Sequence, residues 1–390
     1  MARAKPMAAI IGVGESTIGK VPGQDALSLM AQATQRALES AGLPRDAIDG
    51  VITQPCATES WIMPAAVVAR GLGLDPGYVS TVDIAGAGGA AMIDQAARVI
   101  ATGGAEAILC VSGQPLLSDF SRDQAVARMA QSAAHRTAEV PAGVPVPGLY
   151  ALIAARHMHL YGTTREQMAE VAVQTRAHAA LNPNAHFRAP ITRNDVIGAK
   201  PISTPFTLLD CAPVSDGAAA LILVSPARAR QLKARAAYLL GSGYGLSHAY
   251  LSDGTDPLVT GARRSGATAF KQAGLTPRDM QFAQLYDCFT ITPMLELEDL
   301  GFCAPGESGP FIASGATARD GTLPMNTGGG LLSGGHPGLP AGLLPMVEAA
   351  RQIMGEAGAR QLPRADLAMA HGNGGVIGMH CSLILGSADA

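Results

Sequence analysis

The stretch Ala37-Leu38-Glu39-Ser40-Ala41-Gly42-Leu43-Pro44-Arg45-Asp46 returns, slightly altered, as Ala269-Phe270-Lys271-Gln272-Ala273-Gly274-Leu275-Thr276-Pro277-Arg278-Asp279. The first copy closes a helix that Asp25 caps and Gly42 stops. An apolar strand precedes each copy, Ala8 to Val13 in one case and Ala237 to Leu240 in the other. A second strand follows each, Gly50-Val51-Ile52 and Phe282 to Leu285. The offset between copies is about 232 residues.

A second matched pair lies further along each copy. Gly88 to Gly103 is an almost uncharged helix after a glycine turn, leading to the strand Ala107 to Val111. Pro340 to Met354 and the strand Leu367 to Ala370 repeat that plan. Few charges fall on any face of either helix, which predicts that both are buried. The chain therefore reads as two α/β halves of similar plan.

Residues 115–236 interrupt the first half. The segment Leu117 to Pro147 is polar and proline-spaced, and helices follow from Tyr150 to Tyr161 and from Thr164 to Leu181, the latter capped by Thr164. A proline-dotted loop runs from Asn182 to Thr207, and Ala218 to Val224 returns as a buried strand after the turn Asp216-Gly217. The expected organisation is a first half over 1–236, with a loop subdomain inserted at about 115–207, and a second half over 237–390.

Composition narrows the function. The 390 residues are 48% hydrophobic and 15% charged, against about 25% charged in an ordinary soluble protein, which points to extensive burial between domains or subunits. A net charge of −3 gives no basic excess, so no nucleic-acid partner is expected. Six cysteines at 56, 110, 211, 288, 303 and 381 form no CxxC pair, and no metal is expected. The apolar run from Met7 to Val13 is too short for a signal peptide, and Ala218 to Val224 cannot span a bilayer, so a cytoplasmic protein is expected. Gly86-Ala87-Gly88-Gly89 invites a dinucleotide reading, but position 91 is alanine and no acidic ribose ligand follows. No bound cofactor is expected.

Three polar clusters fall where strands meet helices: Tyr286-Asp287-Cys288-Phe289, Gly334-Gly335-His336-Pro337-Gly338 and His371-Gly372-Asn373-Gly374-Gly375. Ligands of α/β sheets bind at such strand ends. His336 reads as an acid, a base or an oxyanion donor, or as a satisfied loop histidine, and His371 carries the same alternatives. Tyr286 reads as a proton donor or base, or as a strand-end tyrosine facing water. Asp287 reads as a turn cap or as a partner of the site, and Cys288 as a buried thiol or a nucleophile.

These clusters resemble the thiolase superfamily. Asn326 to Gly330 followed by Gly335-His336-Pro337 resembles its C-terminal signature, and Leu209 to Ala220 its middle signature. Asp287-Cys288-Phe289-Thr290, Glu298-Asp299-Leu300-Gly301 and His371 to Gly375 resemble the branch of sterol-carrier and lipid-transfer proteins. The resemblance covers nearly the whole chain. It implies an α/β thiolase fold of two βαβαβαββ halves in five layers, with a loop subdomain inserted in the first, and a homodimer.

One departure bears on function. The thiolase nucleophile is a cysteine at the start of the buried helix of the first half, and here Ala85 stands in its place. Alanine forms no thioester, so ordinary acyl transfer is not available. The position of the second reactive cysteine is matched by His371, and Tyr286 replaces the usual Asn or His. Steroid side-chain aldolases are similar in lacking the cysteine and carrying Tyr-Asp-Cys-Phe, although some have tyrosine where this chain has His336. The resemblance implies retro-aldol cleavage of a β-hydroxyacyl-CoA, with the CoA thioester as substrate and a small zinc-ribbon/OB-fold protein as a further partner. Tyr286 is then expected to move the hydroxyl proton, Asp287 to orient it, His336 and backbone N–H groups near Gly374 to hold the enolate oxygen, and His371 to protonate carbon. Ala85, Gly86, Cys288, Asn373 and Gly374 are expected to line the substrate. The alternatives are an acyltransferase with a non-standard nucleophile and a non-catalytic acyl-CoA-binding subunit.

Overall fold

The computed structural model describes residues 5–253 and 256–388, so the chain ends at 1–4 and 389–390 lie outside the described residues. The first half runs β1 (Ala9–Glu15), α1 (Ala26–Ala41), β2 (Gly50–Thr53), α2 (Pro64–Gly71), β3 (Tyr78–Thr81), α3 (Gly88–Ala101) and β4 (Ala107–Gln114). Helices α4 (Leu116–Asp119), α5 (Arg122–Ala133), α6 (Val146–Tyr161), α7 (Arg165–Ala179) and α8 (Arg193–Ile197) follow, with a ribbon of β5 (Pro201–Ser203) and β6 (Phe206–Thr207). The chain then re-enters the half through β7 (Gly217–Val224), completing βαβαβαββ, and α9 (Pro226–Gln231) leads out.

The second half runs β8 (Ala237–Leu246), α10 (Ala262–Ala273), β9 (Phe282–Gln284), α11 (Ile291–Asp299), α12 (Ser308–Ala313), α13 (Gly330–Gly334), α14 (Leu344–Ile353), β10 (Leu367–Gly374) and β11 (Met379–Gly386). It departs from the expected plan at one strand. The counterpart of β3 shrinks to a single bridge between Ala283 and Met325, because this stretch is spent instead on the helices and glycine-rich turn that carry His336.

The strand order is β3-β2-β4-β7-β1-β8-β11-β10-β9. Within this sheet the two halves pair where Ala9 and Ile10 meet Tyr238 and Ala237. Helices α3 and α14 pack together against one face of this sheet, and Ile10, Ile108, Leu221, Leu239, Ala368 and Leu383 close over them from both halves. This accounts for their low charge, since a helix covered on opposite sides exposes little of its surface. Helices α1 and α10 cover the outer faces, giving five layers.

The repeat has a physical basis at both outer helices. Gly42 and Gly274 take left-handed conformations, with φ of 63° and 69°, and close the two helices with matching terminal hydrogen bonds. Beneath them, Gly14 and Gly243 let strand and helix backbones touch: a Cβ on either would collide with the carbonyl oxygen of Ala33 or Ser265.

Candidate active site

A one-turn 3-10 segment, Ala85–Ala87, feeds α3. Ala85 holds φ of 51°, a left-handed conformation that costs a non-glycine residue about 1 kcal/mol. Gln54, at the end of β2, donates its amide N–H to the Ala85 carbonyl at 3.0 Å and pins the turn. The end of β10 packs against it. A Cβ on Gly374 would collide with the Ile84 carbonyl and lie 3.4 Å from the Ala85 methyl. A Cβ on Gly86 would collide with the Asn373 carbonyl and lie 2.6 Å from the Tyr286 hydroxyl. Ala85, Gly86, Tyr286, Asn373 and Gly374 thus meet.

Tyr286 follows β9, and its backbone N–H donates to Glu296 Oε2 at 3.0 Å. Its hydroxyl lies 3.0 Å from His336 Nε2, with the rings edge to face at 5.8 Å. The His336 backbone is bonded to the middle signature on both sides: its N–H donates to the Pro213 carbonyl and to Ser215 Oγ, and its carbonyl accepts the Ser215 N–H. The Gly338 N–H, which can only donate, reaches His336 Nδ1 at 3.3 Å. Nδ1 is therefore an acceptor, and the ring proton sits on Nε2, aimed at the tyrosine oxygen. Burial holds the imidazole down to about 4, so it is neutral near pH 7. Burial likewise pushes the Tyr286 phenol well above 10.

Two expected roles are corrected. Asp287 does not orient Tyr286. Its fully buried carboxylate accepts the Leu331 N–H at 2.6 Å and the Leu332 N–H at 3.5 Å, at the start of α13. It acts on the site through the turn that presents His336. Burial raises it to about 7. His371 does not face the site. Side chains alternate along β10, and Gly372 and Gly374 take the face toward Ala85–Ala87. His371 points the other way, 2.8 Å from both Ser382 Oγ and His380 Nδ1. His380 Nε2 meets the Ile377 carbonyl at 3.0 Å, which can only accept. That carbonyl sets the whole chain: His380 donates through Nε2, His371 donates to His380, and Ser382 donates to His371.

The enolate-donor role of His336 is also displaced, since its only ring N–H is committed to Tyr286. Cys288 is buried, 3.6 Å from Thr292 Oγ1, and pushed up to about 12, so it is a thiol rather than a thiolate.

Glu296, His371 and His380 bring donor atoms within 4.8 Å of one another, the one such group among the described residues. The direct His371–His380 bond occupies the space between the two rings, which makes the cluster a hydrogen-bonded chain rather than an open ligand set. A cavity of about 370 Å³ lies elsewhere, lined by Glu15, Arg36, Asn184, Arg351, Glu356 and Arg360. Among the described residues, no helix is long and apolar enough to cross a membrane.

Sequence reasoning missed Tyr150, Gln54 and Glu296. Tyr150 comes from α6 of the insertion, and its buried hydroxyl bonds the backbone after β10. No motif marks these three residues.

The fold and this site define an α/β enzyme of two fused halves with a modified nucleophile turn. A family described as Thiolase, N-terminal domain matches residues 8–204, and one described as Thiolase C-terminal domain-like matches 243–387. The chain belongs to the thiolase superfamily. It is 37% identical to a steroid side-chain-cleaving aldolase of Thermomonospora curvata, over 89% of this chain and 90% of that one. It is 33% identical to an acetyl-CoA acetyltransferase of Methanothermobacter thermautotrophicus, over 95% and 98%. A solved structure described as an Ltp2-ChsH2(DUF35) aldolase superposes with a TM-score of 0.84 at 33% identity, covering 98% of each chain.

Proposed function

We propose that this protein is a thiolase-fold C–C lyase that cleaves a β-hydroxyacyl-CoA into a ketone or aldehyde and a shorter acyl-CoA. The observation that carries the reading is Ala85 in the left-handed turn, with the Tyr286–His336 pair beside it. A retro-aldol needs a base for one hydroxyl proton and a sink for one electron pair, and it needs no nucleophile. The hydroxyl proton passes to the Tyr286 oxygen in its phenolate form. The Cα–Cβ electron pair moves into the thioester as an enolate, the β-carbon becomes a carbonyl, and one proton returns to Cα. The His336 Nε2–H, aimed at the tyrosine oxygen, stabilises the phenolate. Backbone N–H groups of the turn entering α3 and of Gly374 are the donors left for the enolate oxygen, each worth about 3–4 kcal/mol.

A homodimer fits the exposed rim of the first half. β3 is an edge strand alternating half-buried and exposed residues, and Ile62 nearby is 96% exposed. A small zinc-ribbon/OB-fold partner is supported by the two-protein description of the Ltp2-ChsH2(DUF35) structure.

The test is to offer the chain, with and without such a partner, a tertiary 3-hydroxyacyl-CoA in the absence of free CoA. Release of the shorter acyl-CoA and the matching ketone is expected. Silence here, with CoA-dependent cleavage of a 3-ketoacyl-CoA, would establish the acyltransferase alternative that the acetyltransferase relative represents.

A further inference from the structure

Gln114 closes β4 and is 1% exposed. Its side chain bridges two backbone groups of fixed polarity. The Ala57 N–H can only donate, and it reaches Gln114 Oε1 at 2.9 Å. The Pro337 carbonyl can only accept, and it receives the Gln114 Nε2–H at 2.7 Å. Each end of the amide is therefore assigned by its partner. Gln54 has the like place at the end of the neighbouring strand β2, where it donates to the Ala85 carbonyl. Two glutamines on paired strands thus each hold one loop of the site.

The Pro337 carbonyl shares its peptide unit with the Gly338 N–H. In a planar trans peptide the two point in opposite directions. Holding the oxygen on Gln114 therefore aims the N–H the other way, where it meets His336 Nδ1 at 3.3 Å. The peptide is otherwise free to turn over, because Gly338 has φ of 76° and glycine takes positive and negative φ about equally. Among the described residues, the Pro337 carbonyl has no second partner. A Cβ on Gly338 would collide with Gln114 Nε2, so glycine is also what admits the amide.

We propose that Gln114 is a positioning residue for the reaction: through the Pro337–Gly338 peptide it places the His336 ring proton on Nε2 and so keeps a donor on the Tyr286 oxygen. The assignment rests on the lyase reading. Without the Gln114 donor, the Pro337 carbonyl is buried and unpaired, a costly state that turning the peptide relieves. The carbonyl then faces His336 Nδ1, and the ring carries its proton there. Nε2 becomes an acceptor for the Tyr286 O–H, and the phenolate loses its donor.

The test is nitrogen NMR of histidine-labelled protein at alkaline pH, with the His336 signals identified by their loss in His336→Ala. The unsubstituted protein is expected to show the Nε2–H ring and Gln114→Met, which keeps the length of the side chain, mainly the Nδ1–H ring. The alkaline limb of kcat/KM for a tertiary 3-hydroxyacyl-CoA is expected to move up in Gln114→Met by about one pH unit or more, a tenfold loss at fixed pH. Cys288, Glu296 and Asp287, the other titratable side chains around Tyr286, are the same in both proteins. An Nε2–H ring in folded Gln114→Met, or a switched ring with an unmoved pH profile, overturns the proposal. If Gln114→Met does not fold, Gln114→Glu decides by the same signals, since its carboxylate keeps an acceptor for the Ala57 N–H and has no donor for Pro337. The ring signal needs no turnover, so the two readings separate. A switched ring in a protein that cleaves no hydroxyacyl-CoA removes the lyase reading and leaves Gln114 as the residue that orients His336. Cleavage with the ring unmoved removes the Gln114 role alone.

Discussion

His336 Nε2 stands 3.0 Å from the Tyr286 hydroxyl across 50 residues of chain, and the Gly338 N–H on the opposite ring nitrogen makes the histidine the donor of that bond. The tyrosine oxygen therefore accepts that bond, which favours its phenolate over its phenol. Because burial raises Tyr286 above 10, the base form grows with pH. Cleavage measured as kcat/KM should rise through the alkaline range, and Tyr286→Phe should lose about 10²–10⁴-fold. His336→Ala should cost less and steepen the need for high pH. A pH profile unchanged in His336→Ala would sink the pairing.

Burial of neutral His336 and His380, each held to about 4, makes acid destabilising. The unfolded chain binds their protons near 6.5 and the folded chain only near 4. Stability is therefore fully present above about 6.5 and is lost as pH falls toward 4, by on the order of 3 kcal/mol per ring. Nitrogen-detected NMR should show the His336 ring neutral and protonated at Nε2 at pH 6. His380→Gln should flatten the acid limb of the melting curve.

Asp287 carries the opposite sign. Its folded value of about 7 lies above the ordinary 3.8, so the stability it contributes is complete below about 3.8 and is lost as pH rises through 7. Asp287→Asn keeps an acceptor for the Leu331 N–H and should gain on the unsubstituted protein as pH rises from 4 to 8. Asp287→Ala leaves the start of α13 without its acceptor and should cost about 2–3 kcal/mol in chemical denaturation. Equal pH dependence with and without the carboxylate would refute this account.

Gly86→Ala puts a methyl group against the Asn373 carbonyl and the Tyr286 hydroxyl. Backbone cannot yield on one side and the reacting phenol sits on the other. A loss of at least about 100-fold in cleavage is expected, with circular dichroism retained.

Ala85→Cys restores a thiol to a left-handed turn at the entry to α3. A helix start favours the thiolate. Intact-mass spectrometry should find position 85 acylated by an acyl-CoA thioester, and no acylation in the unsubstituted protein.

The two-half plan was legible because its signals are local. Gly42 and Gly274 each stop a helix through their own conformation, and α3 and α14 betray burial by carrying few charges. The motif loops were legible as well, and Ala85 by itself excludes a thioester at that position. Roles within the loops were not. Asp287 and Tyr286 are neighbours in sequence, yet one side chain goes to α13 and the other to His336, because alternation along the chain sends them to different faces. Tyr150 escaped notice since nothing near it signals a partner 223 residues away.

The sequence by itself determined the fold, the insertion and the missing nucleophile, all properties of residue type at short range. Only the tertiary structure decided which strand face each histidine takes, which acceptor receives the Gly338 and Leu331 N–H groups, and which way the Gln114 amide turns. Those outcomes depend on donors and acceptors with fixed polarity meeting across distant segments. A hydrogen bond has direction, and no pattern along one strand of chain supplies the partner that sets it.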